Sequence, residues 1–241
     1  MSEIQKRVVG SVSPTGRSDP SRYESSLLPK EISVIQVSVG IRSGTEEEFR
    51  QVKGVYEQKV AELAGKKVDM IHMGGAPPMM VHGFKGEEEF VKTLEGKYKT
   101  PIYTAGRSQS DAFRALGMKS FVGLTYFPES LNKIFANYFT QAGFEVQAME
   151  GLDIPFGSAA QLSKEEIGSF AKEAFRKHAG KADGIYMLGS GWKVMEVAPV
   201  LEAELHVPVV HAQAVKIWSM LKHFGIHRPI AGYGRLLQEL P

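Results

Sequence analysis

The chain has 241 residues, 43% of them hydrophobic and 23% charged, and its 29 basic and 27 acidic side chains leave a net charge of +2. That is enough apolar material for a full core in one large domain or two small lobes, and charge spread without a basic run or aromatic/basic interleaving argues against a nucleic-acid partner. The complete absence of cysteine excludes disulfides, thiolate zinc sites, iron–sulfur clusters and cysteine nucleophiles.

No stretch approaches the roughly 18 consecutive apolar residues of a membrane span, and Met1 to Arg7 lack the apolar centre of a signal peptide. The expectation is a cytosolic protein without membrane contact. Gly and Pro occur in ordinary numbers, so disorder is expected only at the first few residues and in the loop at 17–30.

Taken in chain order, short β-branched runs bounded by turn residues alternate with segments of helical period, the pattern of βαβ units and parallel sheets. The predicted strands are Arg7–Val12, Ser33–Val39, Val68–Met73, Ile102–Thr104, Ser120–Leu124, Glu145–Met149, Gly184–Leu188 and Val209–Val210. Between them, Thr45 with Glu48 and Ser163 with Glu166 have capping-box spacing. Leu131, Ile134, Phe135, Tyr138 and Phe139 form one buried helix face, and Ile167, Phe170, Ala171, Ala174 and Phe175 another. Gly117, Gly143 and Gly225 fall where left-handed C-caps are needed.

The sequence also echoes itself. Gly65-Lys66-Lys67-Val68-Asp69-Met70-Ile71-His72-Met73, then Gly74-Gly75, returns as Gly180-Lys181-Ala182-Asp183-Gly184-Ile185-Tyr186-Met187-Leu188, then Gly189-Ser190-Gly191, and Thr100-Pro101-Ile102-Tyr103-Thr104-Ala105 returns as Val207-Pro208-Val209-Val210-His211-Ala212. Two matched strand–loop–helix units in the same order predict duplicated lobes. The division expected is an N-terminal lobe of 1–116, completed by the segment 213–241, and a C-terminal lobe of 117–212. In such proteins the site lies beyond the C-terminal ends of the strands.

The glycine loop at Met73-Gly74-Gly75-Ala76, the position of Tyr126 after its strand, the loop Gly189-Ser190-Gly191 after Asp183-Gly184-Ile185, the run Val207-Pro208-Val209-Val210 and the opening Val9-Gly10-Ser11-Val12-Ser13-Pro14 together resemble the arylmalonate decarboxylase and maleate isomerase branch of the aspartate/glutamate racemase superfamily. The resemblance spans nearly the whole chain and rests on order and spacing more than on any one motif. It implies an α/β fold of two similar Rossmann-like (flavodoxin-like) lobes with parallel sheets, related by pseudo-twofold symmetry, with the active site in the cleft between them.

In that family two loops, one per lobe, meet around a small carboxylate. Racemases carry a cysteine on each loop, maleate isomerases use cysteine chemistry, and arylmalonate decarboxylases keep a cysteine on the second loop only. Here the first position reads Gly74 or Gly75 and the second reads Gly189, so neither a two-thiol racemisation nor a thiol adduct to a double bond is open to this chain. What the resemblance leaves is a nest of donors for an anion. Its members are the amides of Gly74, Gly75, Ala76, Gly189, Ser190 and Gly191 and the hydroxyls of Tyr126 and Ser190. Ser13, Pro14 and Thr15 carry over as wall and hydrogen-bond contacts of the first substrate loop.

For the proton, His211 directly follows a strand at a position that family members use to contact substrate, and Tyr126 holds the family's phenol position. Each has a plain alternative, a loop histidine bonded to backbone and an ordinary buried tyrosine. His72 reads as a core histidine, His82 as a loop histidine after Pro77-Pro78, and His178, His206, His223 and His227 as surface residues near element ends. Lys193 reads as a solvated first-turn lysine. The double proline departs from the family pattern and removes amide donors from the first loop. Met79, Met80, Phe156 and Trp192 are either core or the wall for a bulky substituent.

No His-x-x-x-His pair, P-loop or G-x-G-x-x-G fingerprint occurs, so cofactor-free and metal-free action is expected. The leading expectation is a cofactor-independent lyase or isomerase acting on a small carboxylic acid through an enolate-like intermediate held by the glycine-loop amides and Tyr126. Two others stand beside it: a hydrolase of a cyclic amide, imide or ester using Ser190 and His211, and a carboxylate-binding protein without turnover. A small-molecule carboxylate is the expected partner, and the sequence leaves homo-oligomerisation open.

Overall fold

A computed structural model describes residues 6–16, 19–178 and 180–241. The chain divides into two compact units, Met1–Ala105 and Gly106–Pro241. The disorder expected at the extreme N-terminus, like the absence of a signal sequence there, falls outside the described residues.

The first unit runs β1 (Arg7–Ser13), α1 (Arg22–Leu27), β2 (Ile32–Ser38), α2 (Glu46–Gln51), α3 (Lys53–Gly65), β3 (Met70–Met73), α4 (Pro77–Met80), α5 (Gly83–Tyr98) and β4 (Ile102–Thr104). The second follows with α6 (Ala105–Ala115), which begins at the division, then β5 (Ser120–Thr125), α7 (Glu129–Gln141), β6 (Glu145–Gly151), a 3₁₀ turn (Phe156–Gln161), α8 (Lys164–Lys177), β7 (Gly184–Met187), α9 (Val194–Leu205), β8 (Val209–His211), α10 (Ala212–His223) and α11 (Arg235–Glu239). The strand orders are β2-β1-β3-β4 and β6-β5-β7-β8, so the two sheets have the same topology, and every pairing is parallel.

The duplication extends to individual hydrogen bonds. Asp69 and Asp183 stand at matching places just before β3 and β7. The Asp69 carboxylate accepts from the Val8 amide at 2.7 Å, and the Asp183 carboxylate from the Lys119 and Ser120 amides at 2.8 and 2.9 Å. Those bonds, the Lys119 amide foremost, hold the Asp183 carboxyl below its ordinary range. At the other crossover, Glu95 accepts from the Ile102 amide and Glu202 from the Val209 amide, both at 2.8 Å and both seven residues upstream. Each of those helices closes on a left-handed non-glycine residue, Lys99 at φ 53° and His206 at φ 58°. The acidic residues of the sequence echo are therefore strand anchors at the end of each sheet away from the glycine loops.

Local signals shape the elements much as read. Ser163 and Glu166 complete both halves of their capping box, whereas Thr45 makes only its own half. The Glu48 carboxylate turns instead to the amides of Arg42, Ser43 and Gly44 at 2.8–2.9 Å. Gly117, Gly143 and Gly225 all adopt positive φ, and the amide that follows each bonds back five residues, as a Schellman cap requires. The expected disordered loop at 17–30 instead holds α1, started by a full Ser21/Glu24 capping box; Arg17 and Ser18 lie outside the described residues.

The expected division at 116, with 213–241 returning to the first lobe, differs from the compact units. On α6, Phe113 packs its ring 4.8–5.3 Å from those of Phe121, Phe139, Phe144 and Tyr186, which draws this helix into the second unit. The C-terminal segment is tied there by Glu202, whose carboxylate accepts from the Arg235 amide at 2.7 Å as well as from Val209. Among the described residues no helix is long and apolar enough to cross a membrane.

Candidate functional site

In a parallel sheet of order 2-1-3-4, the connections leave in opposite directions between the two central strands, and the loops beyond their C-terminal ends open a crevice there. In the first unit those loops are Pro14-Thr15 after β1, which ends on Ser13, and Gly74-Gly75-Ala76 after β3. In the second they are Tyr126-Phe127 after β5 and Leu188-Gly189-Ser190-Gly191 after β7. Every site residue anticipated from the sequence except Ser13 and His211 falls on one of these four loops; Ser13 ends β1 and His211 ends β8, the neighbour of β7.

Register settles which glycines correspond. The Gly74 amide donates to Val12 O at 2.8 Å, and the Leu188 amide to Leu124 O at 2.8 Å, each continuing its ladder by one residue. Gly74 thus matches Leu188, and Gly75 matches Gly189; these two share the left-handed backbone, at φ 81° and φ 99°. The Gly74 amide is consequently spent on the sheet, a correction to its expected place among the anion donors. Among the described residues, the amides of Gly75, Ala76, Gly189 and Ser190 have no acceptor.

Glycine is required at both left-handed positions for space as well as for φ. A Cβ on Gly75 would stand 2.6 Å from Pro14 Cβ, and one on Gly189 would stand 2.5–2.7 Å from the ring carbons and oxygen of Tyr126. Pro14 and Tyr126 therefore fill the side-chain space of the two loop glycines. The prolines 77 and 78 occupy the first two positions of α4, where the missing N–H groups cost no helical bond. Ala76 is the last residue of that loop with a free donor.

Tyr126 is 4% exposed. Burial pushes its phenol up to about 12, offset in part by the Gly191 N–H, which donates to the phenol oxygen. The Gly191 amide is thus already committed to Tyr126. The Tyr126 ring meets Trp192 edge-on at 5.6 Å and lies 6.2 Å from half-buried Phe156. At neutral pH Tyr126 carries its proton and has a hydroxyl to donate.

His211 is fully buried, which drives its imidazole down to about 4, against a small opposing pull from Glu196. Its Nδ1 accepts from the Ala214 amide at 3.5 Å as the cap of α10, which assigns the proton to Nε2. Nε2 is buried with no partner among the described residues. His211 is therefore a neutral N–H donor rather than a base.

Ser190 is exposed, and no hydrogen bond joins it to His211 among the described residues. Ser13 Oγ donates to Thr15 O at 3.3 Å, folding the first loop on itself. Lys193 is exposed, at the N-cap of α9, and its ammonium donates to Leu162 O at 2.8 Å. His82, expected in a loop, is half-buried at the start of α5, its imidazole lowered by burial first and then by Lys53 and Arg50. Met79, Met80 and Trp192 belong to the core.

Two residues, Tyr56 and Thr104, and the donor role of Trp192 escaped the sequence reading. Tyr56 on α3 is fully buried and donates its hydroxyl to Gly74 O at 2.7 Å. The Trp192 indole N–H donates to Gly189 O at 3.1 Å. Thr104 ends β4 opposite Met73, as His211 ends β8 opposite Met187, and its Oγ1 is likewise buried without a partner among the described residues. The echo of Thr104-Ala105 in His211-Ala212 was the available signal for the third; the first two act on backbone carbonyls and leave none.

The fold and these loops define a duplicated α/β protein with donor-rich glycine turns at the switch point of each parallel sheet. The chain belongs to the arylmalonate decarboxylase family, whose family model matches residues 10–237. It is 22% identical to a maleate isomerase of Pseudomonas putida over 199 residues, covering 79% of this chain and 78% of that protein. Crystal structures share the fold at low identity. A double mutant of arylmalonate decarboxylase in its liganded form superposes with a TM-score of 0.90 at 19% identity, covering 97% of this chain and all of the other. A maleate isomerase variant from Pseudomonas putida with maleate superposes with a TM-score of 0.86 at 20% identity, over 96% of this chain and 97% of its own.

Proposed function

We propose that this protein is a cofactor-independent lyase that decarboxylates a small malonate-type acid through an enediolate, without a thiol. The reading is supported above all by Tyr126. This buried, protonated phenol fills the side-chain space of Gly189 and receives the Gly191 N–H on its oxygen. Family membership supports the reaction class, and the lack of any cysteine in the chain removes both racemisation by two thiols and covalent addition of a thiol to maleate.

In the proposed reaction the bond between Cα and one carboxylate breaks, CO₂ leaves, and the electron pair enters an enediolate on the remaining carboxylate. The free amides of Gly189 and Ser190, the Tyr126 hydroxyl and the His211 Nε2–H are the donors for that charge. Gly75 and Ala76 offer a nest of the same kind in the first unit, with Ser13, Pro14 and Thr15 beside it. Loss of CO₂ needs no base, and the carbanion needs one acid. The Tyr126 O–H breaks as the Cα–H bond forms, and the Gly191 N–H stabilises the phenolate until it recovers a proton from water. Donors aimed at developing charge contribute about 3–4 kcal/mol each in favourable sites.

The test is CO₂ release from 2-methyl-2-phenylmalonate by the wild type and by Tyr126→Phe. The reading expects turnover that falls roughly 100- to 1,000-fold in the variant while the fold is kept. Equal rates would remove Tyr126 from the mechanism, and ring opening of cyclic imides lost in Ser190→Ala would move the case to a hydrolase. Tight carboxylate binding with no turnover of any acid tested would leave a binding protein.

A further inference from the structure

Two buried aromatic donors hold the carbonyls of the glycine turns. In the first unit the Tyr56 hydroxyl bonds Gly74 O at 2.7 Å, and in the second the Trp192 indole N–H bonds Gly189 O at 3.1 Å. Tyr56 is 0% and Trp192 2% exposed, so both donor side chains are withdrawn from solvent. Burial raises the Tyr56 phenol far above its ordinary value, so it stays a donor at every working pH.

A trans peptide points its C=O and the following N–H in opposite directions, and none of the described peptides is cis. Fixing Gly74 O against Tyr56 therefore turns the Gly75 N–H the other way, and fixing Gly189 O against Trp192 does the same for the Ser190 N–H. These are two of the four loop amides that have no acceptor among the described residues. Left-handed glycines beside them leave each turn free to flip its peptide at little steric cost, so an outside anchor is what gives those amides a direction.

We propose that Tyr56 and Trp192 are positioning residues, each for the anion nest of its own unit: each pins a glycine carbonyl from behind and so presents the next amide, Gly75 in the first unit and Ser190 in the second, to a carboxylate. The inference rests on the carboxylate reading above. Neither aromatic group touches the reacting atoms; each acts through one peptide plane.

The experiment is a titration of the whole protein, labelled with ¹⁵N-glycine and ¹⁵N-serine, with phenylmalonate, carried out on the wild type, Tyr56→Phe and Trp192→Phe. Tyr56→Phe loses only the donor; Trp192→Phe keeps an aromatic ring but also loses part of the buried indole, so the unfolding midpoint is read beside each titration. The expected result is a saturable shift of the Gly75 and Ser190 amide resonances in the wild type. Tyr56→Phe should then weaken the Gly75 response, and Trp192→Phe the Ser190 response, roughly two- to tenfold in apparent Kd, as expected for one hydrogen bond. A purely structural role would instead lower the unfolding midpoint and move resonances throughout the unit while leaving the Kd of the surviving fold unchanged, which would overturn the inference. Unaltered titrations in both variants would overturn it as well and leave the carboxylate site standing. A wild type whose loop amides ignore phenylmalonate, and equally maleate, would overturn the carboxylate reading itself.

Discussion

Acidification should destabilise the second unit through His211, by an amount that one variant can isolate. The imidazole is fully buried and lowered from 6.5 to about 4 by desolvation. Above pH 6.5 both folded and unfolded chains hold it neutral, so it contributes no pH dependence. Between 6.5 and about 4 only the unfolded chain takes up the proton, and folded stability falls as the pH falls; below about 4 the loss stops growing. With these two values the loss at pH 5 relative to pH 8 is about 2 kcal/mol, and its ceiling is about 3 kcal/mol. Asparagine at this position keeps an acceptor for the Ala214 amide and removes the titration. Both tryptophans of the chain, Trp192 and Trp218, lie in the second unit, so urea unfolding followed by tryptophan emission reports on the part that contains His211. His211→Asn should therefore show a pH 8 to pH 5 loss about 2 kcal/mol smaller than the wild type, all other groups cancelling in the comparison. Parallel stability curves for the two proteins would refute the burial argument and the neutral-donor role built on it.

Other outcomes follow from single contacts. Gly189→Ala adds a Cβ 2.5 Å from the Tyr126 ring at a φ of 99°; strain and overpacking together should cost about 2–5 kcal/mol in urea unfolding, and a neutral result would mean the ring does not fill that space. Ser163→Ala removes the cap of α8 and half of its capping box, with an expected loss of about 1 kcal/mol by the same assay. Glu202→Ala strands the amides of Val209 and Arg235, which it accepts at 2.8 and 2.7 Å; a loss of about 2–4 kcal/mol is expected, together with faster amide exchange at both positions.

The eight strands were legible because each is a short β-branched run closed by turn residues, and the structure moves their ends by no more than two residues. The duplication was legible for a different reason: a repeated Lys-x-Asp before a strand and a repeated Pro after a helix mark the same two backbone anchors in each unit. The sequence showed that these residues recur without showing what they do, and the aspartates prove to brace the sheet at the end opposite the glycine loops. Helix α1 was missed because six residues carry no periodicity, although Ser21 and Glu24 had the capping spacing. The compact units divide at Ala105 rather than at the expected 116, because the aromatic face of α6 does not announce in sequence which sheet it will cover.

The loop glycines, Tyr126 and His211 could be singled out as candidates because they stand at or just after the ends of predicted strands. What could not be read was the direction of each backbone donor. Gly74 N–H goes to the sheet, Gly191 N–H to Tyr126, and the carbonyls of Gly74 and Gly189 to Tyr56 and Trp192. Tyr56 stands 18 residues before the carbonyl it holds, and no local pattern encodes such a bond. The same holds for the tautomer of His211, which depends on the Ala214 amide across the first turn of α10.

The measurement that bears most directly on a thiol-free decarboxylation is proton NMR of the purified protein with 2-methyl-2-phenylmalonate in D₂O. The account predicts loss of CO₂ and a 2-phenylpropionate that carries deuterium at Cα, formed by the wild type and suppressed in Tyr126→Phe. Unchanged malonate after prolonged incubation, with arylmalonates and maleate alike, would contradict it.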